Sequence, residues 1–233
     1  MKFGIKYNPS FAMLGIGLGP EESVRVEAGS MVGMSADMNV ETSLNASYGA
    51  DGGGGGFLKG LVVATARKLL GGETLFINTY TAGEKGGQLM VAPALSGDII
   101  HYPLKGDTLM VQASSYMASS PGVGMELKFG GLSTLFGGEG LFLIKTHGNG
   151  DLFVNSYGAV KTIDIDGSFI IDTGHIVAFE ESLDFEVRRI GSWKSTMLSG
   201  EGLVCEFKGK GRLYYQTRNL GAMIGWLTKL LPS

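Results

Sequence analysis

The sequence has little cysteine, little charge and no long apolar segment. Cys205 is the single cysteine among 233 residues, so no disulfide can form within the chain, and both a secreted disulfide framework and a cysteine-ligated zinc site are excluded. Charged residues make up 18% of the chain, against about 25% in typical proteins. The net charge of −3 argues against strong attraction of nucleic acid. No segment approaches the roughly 20 apolar residues of a membrane span. The first residues lack a secretory signal pattern, so we expect a cytoplasmic protein.

Motifs of common catalytic and nucleotide-binding sites are also missing. The sequence contains no GxSxG, no GxxxxGK[ST] and no GxGxxG. The histidines are His101, His147 and His175, and none of their spacings is typical of a metal site. We therefore expect no cofactor and no metal, and structural or solvated roles for the histidines. Cys205 lies in an apolar stretch and is predicted to be a core residue rather than a reactive thiol.

Glycine, in contrast, is abundant, with 39 residues, where a usual share is about 7%. It separates short apolar stretches such as 75–77, 89–91, 141–144 and 169–171. Short apolar stretches with closely spaced turn residues are typical of an all-β sandwich, barrel or β-helix. We therefore predict an all-β fold with glycine at the turns.

Two sequence units occur three times each. Unit A is Gly-Glu-x-Leu, beginning at Gly72, Gly138 and Gly200, and each copy leads through a glycine-bearing turn (83–86, 148–150 and 209–211) into a second apolar strand. We interpret unit A as a β-hairpin. Unit B covers residues 26–32, 111–117 and 171–177, with polar and apolar positions in phase. The units alternate along the chain in the order B, A, B, A, B, A.

This alternation predicts a single domain, 1–233, of three similar modules in a pseudo-threefold arrangement. The modules are predicted at 71–131, at 137–198, and at 199–218 closing against 1–47. Closure of the C-terminal hairpin on the N-terminal strands would remove exposed sheet edges, which are otherwise prone to aggregation.

Two segments depart from the β pattern and predict short helices, at 57–70 and at 220–231. Both are strongly apolar and carry lysine, which makes them the best candidate partner surfaces. An interfacial membrane helix needs a basic polar face opposite its apolar face. Packing at a subunit interface explains the same composition and is the interpretation that we favour.

The repeated acidic residues Glu73, Glu139 and Glu201 follow glycine at predicted strand entrances. They could line an axis between modules, or they could cap the starts of strands. We favour the second interpretation. Asp164 and Asp166 could face one side of a strand and share a proton or hold a cation. Asp166-Gly167 is also an ordinary turn sequence, which is the interpretation that we favour.

The basic residues Lys208, Lys210 and Arg212 lie at every second position along the chain, as does Tyr214, so in an unbroken strand all four would lie on one face. Basic side chains beside an aromatic ring are suited to bind and stack single-stranded bases. However, 209–211 is predicted to be a hairpin tip, so the residues before and after it would not share one face of a single strand. A solvated turn is therefore the favoured interpretation. His175 takes the place of Ser30 and Ser115 in the other copies of unit B, and we keep it as a weak candidate for a binding role.

Three Gly-Glu-x-Leu units, the stretch 27–32, and Ala92-Pro93 followed by Gly97-Asp98 together resemble one conserved family. It is the bacterial branch of the altered-inheritance-of-mitochondria family, and the resemblance covers nearly the whole chain. It implies a fold like the tryptophan RNA-binding attenuation protein, with three double-stranded β-helix modules in one chain. It also implies a homo-oligomer, with a trimer as the expected form. Mitochondrial members are linked to inner-membrane organisation and respiratory-complex biogenesis, and the resemblance implies no catalytic residue.

We therefore expect a non-enzymatic oligomeric scaffold or binding protein, acting in membrane-associated biogenesis or integrity. Its expected partners are further copies of itself, and a peripheral membrane or membrane-protein contact. The alternative is a module that binds RNA or a small ligand in grooves between modules or subunits. An enzyme with carboxylates at module interfaces is the third candidate.

Overall fold

The computed structural model describes residues 1–44, 76–129, 141–189 and 203–230, and these are mostly strands, which confirms the all-β class. The elements are β1 Lys2–Lys6, β2 Met13–Leu18, β3 Ser23–Glu27, β4 Met31–Met34, β5 Asn39–Leu44, β6 Phe76–Thr81, β7 Gly87–Val91, β8 Ile99–Gln112, β9 Tyr116–Ser119, β10 Val123–Phe129, β11 Phe142–Asn155, β12 Val160–Asp172, β13 Ile176–Glu180, β14 Leu183–Arg189, β15 Leu203–Gln216 and the helix α1 Leu220–Thr228.

The strands form two sheets. The first has four strands in the order β1-β2-β7-β4, and the second has eleven, nine of which follow the order β12-β15-β13-β8-β11-β9-β3-β6-β5. The other two, β10 and β14, pair with β11 and β15. Side chains alternate across each strand. In β2, for example, Leu14, Ile16 and Leu18 are buried while the intervening glycines are partly exposed.

The same set of antiparallel pairings recurs three times along the chain. Strand β8 pairs with β11 over nearly its whole length, while β9 pairs with the second half of β11 and β10 with its first half. Strands β12, β13 and β14 pair with β15 in the same way. Near the N-terminus, β2–β7 and β3–β6 replace the long pair, and β4 and β5 complete the set. A register shift skips the equivalent residue each time, at Val32, Met117 and Val177.

The interpretation of unit A as a hairpin is wrong. Residues 148–150 and 209–211 lie inside single 14-residue strands, β11 and β15. Gly148 and Gly209 have φ of +99° and +111°, a conformation that favours glycine. Each strand continues through its glycine without reversing direction. Residues 83–86 do form a turn, but β6 pairs with β3 and β5, whereas β7 pairs with β2 and β4, so the two arms lie in different sheets.

The predicted closure of 199–218 against 1–47 is also wrong. Strand β15 pairs with β12, β13 and β14, and no described strand of residues 1–91 pairs with a described strand of residues 160–216. Strand pairing groups the chain as 2–91, 99–155 and 160–216, rather than at the predicted boundaries 71–131 and 137–198. The reason is that each long strand pairs with strands close to it in sequence, which is the usual preference of chain connections.

Two of these groups meet at each of two junctions, where strands join edge to edge. Strand β3 pairs with β9 at the first junction, and β13 pairs with β8 at the second. Buried clusters span the junctions: Met117 and Ala118 pack with the core of the first group, and Met110 packs with the core of the third. Strand pairing and shared core clusters therefore connect the three groups of described strands with one another.

The helix predicted at 220–231 is confirmed as α1, which covers Leu220–Thr228. The helix predicted at 57–70 lies outside the described residues. Within the described part of the chain, no helix is long and apolar enough to cross a membrane.

Candidate functional site

The repeated acidic residues Glu73, Glu139 and Glu201 all lie outside the described residues. Their predicted places at a module axis or a strand entrance therefore stay predictions. Elsewhere in the described ranges, no group of three histidine, cysteine or acidic side chains converges to hold a metal ion.

The predicted basic residues lie along one unbroken strand, β15, and each has an acidic neighbour. The nitrogen-to-oxygen distances are 3.5 Å for Lys208 to Glu206, 3.2 Å for Lys210 to Asp166, and 2.7 Å for Arg212 to Asp164. The hydrogen bond from the Arg212 guanidinium holds the pKa of the Asp164 carboxyl below its usual value. The two aspartates considered as a cation site thus face basic partners across the β12–β15 ribbon. This arrangement offsets the positive charge that a phosphate backbone would need.

His175 lies in a short 3-10 turn beside the end of β15. Its Nδ1 atom is 2.7 Å from the carbonyl oxygen of Gln216, whose side-chain amide donates to the carbonyl of Gly174 at 2.8 Å. These two bonds connect the short 3-10 turn Thr173–His175 to the strand that precedes α1. They give the side chain a role in holding that turn in place.

A histidine–carboxylate pair that sequence reasoning missed lies on the β8–β11 ribbon. His101 Nε2 is 2.8 Å from Asp151 Oδ1, and the ring of Phe3 lies 4.5 Å from the imidazole, centroid to centroid. The pair carries no spacing signal because its members are 50 residues apart. The backbone amide of Asp151 also donates a hydrogen bond to the Oγ atom of Ser120, at 3.0 Å.

Cys205 is fully buried in β15, as predicted for a core residue. Burial raises the pKa of its thiol to about 12, and the thiol rather than the reactive thiolate is therefore present near neutral pH. We expect native protein to give no reaction with Ellman's reagent and one equivalent of thiol after denaturation. Prompt labelling of native protein at pH 8 would contradict this packing.

A cleft of about 660 Å³ lies beside the N-terminus. Lys2, Glu22 and Lys85 contribute to its lining, and the N-terminal ammonium is 3.1 Å from the Glu22 carboxylate. The backbone amide of Gly19 and the N-terminus lower the pKa of Glu22. None of its described lining residues is aromatic, so these residues offer charged contacts to a ligand but no ring on which it could stack.

Hydrogen bonds hold the beginning of helix α1 to the described chain that precedes it. Asn219 caps the helix, since its side chain accepts a bond from the Ala222 amide at 3.2 Å. The same side chain donates to Asp172 at 3.1 Å. One turn further on, the Tyr157 hydroxyl approaches the Met223 sulfur at 3.1 Å. The start of the helix is thereby held against the end of β12.

The rest of α1 exposes apolar side chains to solvent. No residue of the helix is buried, and Met223 alone is half-buried. The exposed fractions are 49% for Ile224, 62% for Trp226 and 63% for Leu230, which follows the helix. The helix carries no charged residue. Contiguous exposed apolar surface of this kind marks an interaction site rather than an ordinary surface.

A second exposed apolar surface lies on β4, an edge strand of the four-stranded sheet. Met31, Val32 and Met34 are 44%, 58% and 38% exposed. On β12, the last strand in the order of the larger sheet, Ile170 is 45% exposed. Edge strands usually carry charges that prevent association, and β4 has none.

The chain is similar to known proteins over nearly its full length. The model of the family described as Mitochondrial biogenesis AIM24 matches residues 3–218. An uncharacterised protein of Streptococcus pyogenes serotype M6 is 31% identical over 236 residues, covering 100% of this chain and 92% of the relative. An X-ray crystal structure of a Streptococcus pyogenes protein from a structural genomics consortium has 29% identity and a TM-score of 0.80, covering 99% of each chain. The resemblance drawn from the sequence is thus confirmed, and the chain belongs to the Mitochondrial biogenesis AIM24 family.

Proposed function

We propose that this protein is a non-enzymatic, homo-oligomeric scaffold, with a trimer as its expected form, that acts in membrane-associated biogenesis or integrity in the cytoplasm. The single observation that carries the proposal is the exposed apolar helix α1. The family name supplies the link to biogenesis, and it supplies no activity.

The chemistry of α1 favours a protein surface as its partner. A helix that lies in a membrane interface has a charged polar face opposite its apolar face. In α1, Leu220, Ile224 and Leu227 are exposed together with Trp226, and no charged side chain separates them. Burial of such side chains in a subunit contact would remove apolar surface from water, worth about 25 cal/mol per Å². We therefore assign α1 to contact between copies of the chain.

We further propose that the three recurring sets of pairings are double-stranded β-helix-like modules, similar to those of the tryptophan RNA-binding attenuation protein. The recurrence of the register shift at Val32, Met117 and Val177 supports this relation. The modules are joined in succession at the two junctions, β3–β9 and β13–β8.

Light scattering coupled to size exclusion tests the scaffold proposal. The wild type should have a mass that is a multiple of the 24.6 kDa chain. A Trp226→Lys, Leu230→Lys variant should form a smaller assembly with an unchanged circular dichroism spectrum, because both side chains are exposed within one chain. Phe11→Lys is the matched control, since Phe11 is 72% exposed and lies far from α1 in sequence. A wild type that runs as a single chain at every concentration would overturn the proposal.

Peripheral membrane contact is the second candidate for α1. It is favoured by the exposed Trp226 and by Lys229 directly after the helix, because tryptophan and lysine are common at membrane interfaces. Co-sedimentation with anionic vesicles that the double lysine variant loses, at unchanged assembly mass, would favour this candidate over the subunit contact.

A further inference from the structure

The two junctions inside the chain use the same register. At the first junction Arg25 lies opposite Ser119, and at the second Met110 lies opposite Phe179. The recurring pairings make Arg25 and Met110 equivalent, and likewise Ser119 and Phe179. The chain therefore builds one type of edge-to-edge joint twice.

In each joint, one of the two paired strands is fully buried. This strand is β9 in the first joint and β13 in the second. In β9 and β13 the residues from Tyr116 to Ser119 and from Ile176 to Phe179 are at most 2% exposed. On the opposite strand of the second joint, Met110 is 7% exposed. A joint of this type therefore removes nearly all of its apolar side chains from water.

The first and third modules each keep one half of this joint unused. Strand β4 corresponds to β9 and β13, and residues 169–171 of β12 correspond to Leu109–Val111 of β8. Among the described residues, β4 pairs only with β7, and this part of β12 pairs only with β15. The unused halves are the two exposed surfaces described above, at Met34 and at Ile170.

We propose that β4 of one copy of this chain pairs antiparallel with residues 169–171 of β12 in a second copy. The register of the internal joints places Met34 opposite Ile170 and Gly33 opposite Ile171. The contact is heterologous, because each copy contributes a different edge. Repetition of such a contact gives a closed ring when the rotation between copies permits it, and an open filament when it does not.

The occupant is a second copy because this chain already makes the same contact with itself twice. Neither free edge carries a charge: β4 reads Met-Val-Gly-Met, and residues 169–171 read Phe-Ile-Ile. Unpaired backbone groups on an uncharged edge strand are a template for pairing with another strand. The proposal rests on the homo-oligomer of the proposed function, and it specifies a contact separate from α1.

Site-specific cross-linking tests the contact and its register. Two single variants, Met34→Cys and Ile170→Cys, are mixed and oxidised under mild conditions. Side chains directly opposite in an antiparallel pair have Cβ atoms about 4.5–5.5 Å apart, close to the separation that a disulfide requires. We expect a covalent dimer in the mixture and no dimer in either variant alone. Wild type, which carries only the buried Cys205, should give none.

A shifted variant controls for non-specific oxidation. Ser168→Cys is exposed on the same strand, but it is displaced by two residues, roughly 7 Å along the strand. Mixed with Met34→Cys, it should not form the covalent dimer. Equal cross-linking at both positions would overturn the proposed register.

The outcomes separate this inference from the scaffold proposal. If the wild type is an oligomer and the Met34→Cys and Ile170→Cys mixture does not cross-link, the strand contact is wrong and the scaffold proposal stands. Cross-linking of Met34→Cys alone would indicate a symmetric β4–β4 contact and overturn the inference. A single-chain mass together with no cross-linking would overturn both.

Discussion

Replacement of Phe179 by alanine should lower the free energy of unfolding by about 3–5 kcal/mol, as is typical for buried phenylalanine. Phe179 lies on β13 and is 1% exposed. Its ring packs edge-on against Phe207 and Phe185, with centroids 4.8 Å and 5.1 Å away. It also lies opposite Met110 at the second junction. Truncation therefore leaves a cavity where the second and third groups of strands meet, which backbone movement in one group cannot fill.

Urea denaturation followed by circular dichroism measures this loss. Phe11→Ala is the matched control, because the same atoms are removed from a side chain that is 72% exposed. The control should change the free energy of unfolding by less than about 0.5 kcal/mol. Equal losses in the two variants would contradict the packing of Phe179.

Gly97→Ala should be even less tolerated than most core substitutions, with an expected loss of about 3 kcal/mol or more. A Cβ atom at Gly97 would lie 1.7 Å from the carbonyl oxygen of Ser156 and 2.7 Å from its carbonyl carbon. Both are backbone atoms, so no side-chain rotation relieves the clash. Gly97 also bridges to Gly158 and accepts a hydrogen bond from the Ala12 amide at 3.0 Å. The clash thus falls where the segments 92–98 and 156–159, which connect the three groups of strands, come together.

Thermal unfolding of Gly97→Ala and Gly4→Ala compares a blocked glycine with an open one. A Cβ at Gly4 has no neighbour within 4 Å, and Gly4 lies in the edge strand β1. We expect a midpoint many degrees below wild type for Gly97→Ala and little change for Gly4→Ala. Similar midpoints for Gly97→Ala and wild type would show that the linkers can separate without loss.

The sequence was sufficient to predict strand content but not how the strands are bent. Apolar stretches and glycines identified most strands, including those that contain 89–91, 142–144 and 169–171. A glycine with positive φ is needed both in a tight hairpin and in a bend within a long strand. Residues 148–150 and 209–211 therefore carry the same local signal for either structure. Pairing with a distant strand decides between them, and no local pattern records that pairing.

The same limit applies to the candidate surfaces. The apolar composition of 220–231 was enough to predict α1, and its role as a contact surface stays a prediction. The phase of unit B correctly aligned Met31, Tyr116 and Ile176 at equivalent strand positions. Which of these strands is covered, and which is exposed, depends on contacts between modules. The pair of His101 and Asp151 was missed for a similar reason, since only the β8–β11 register brings the two side chains together.

Both strands of the β12–β15 ribbon carry a left-handed glycine at the same level. Gly167 and Gly209 stand directly opposite each other, and their φ angles are +125° and +111°. The backbone conformation at this level therefore depends on two glycines rather than one. A side chain gained at either position would strain its own strand, so the effects of substitutions at the two positions should not be independent.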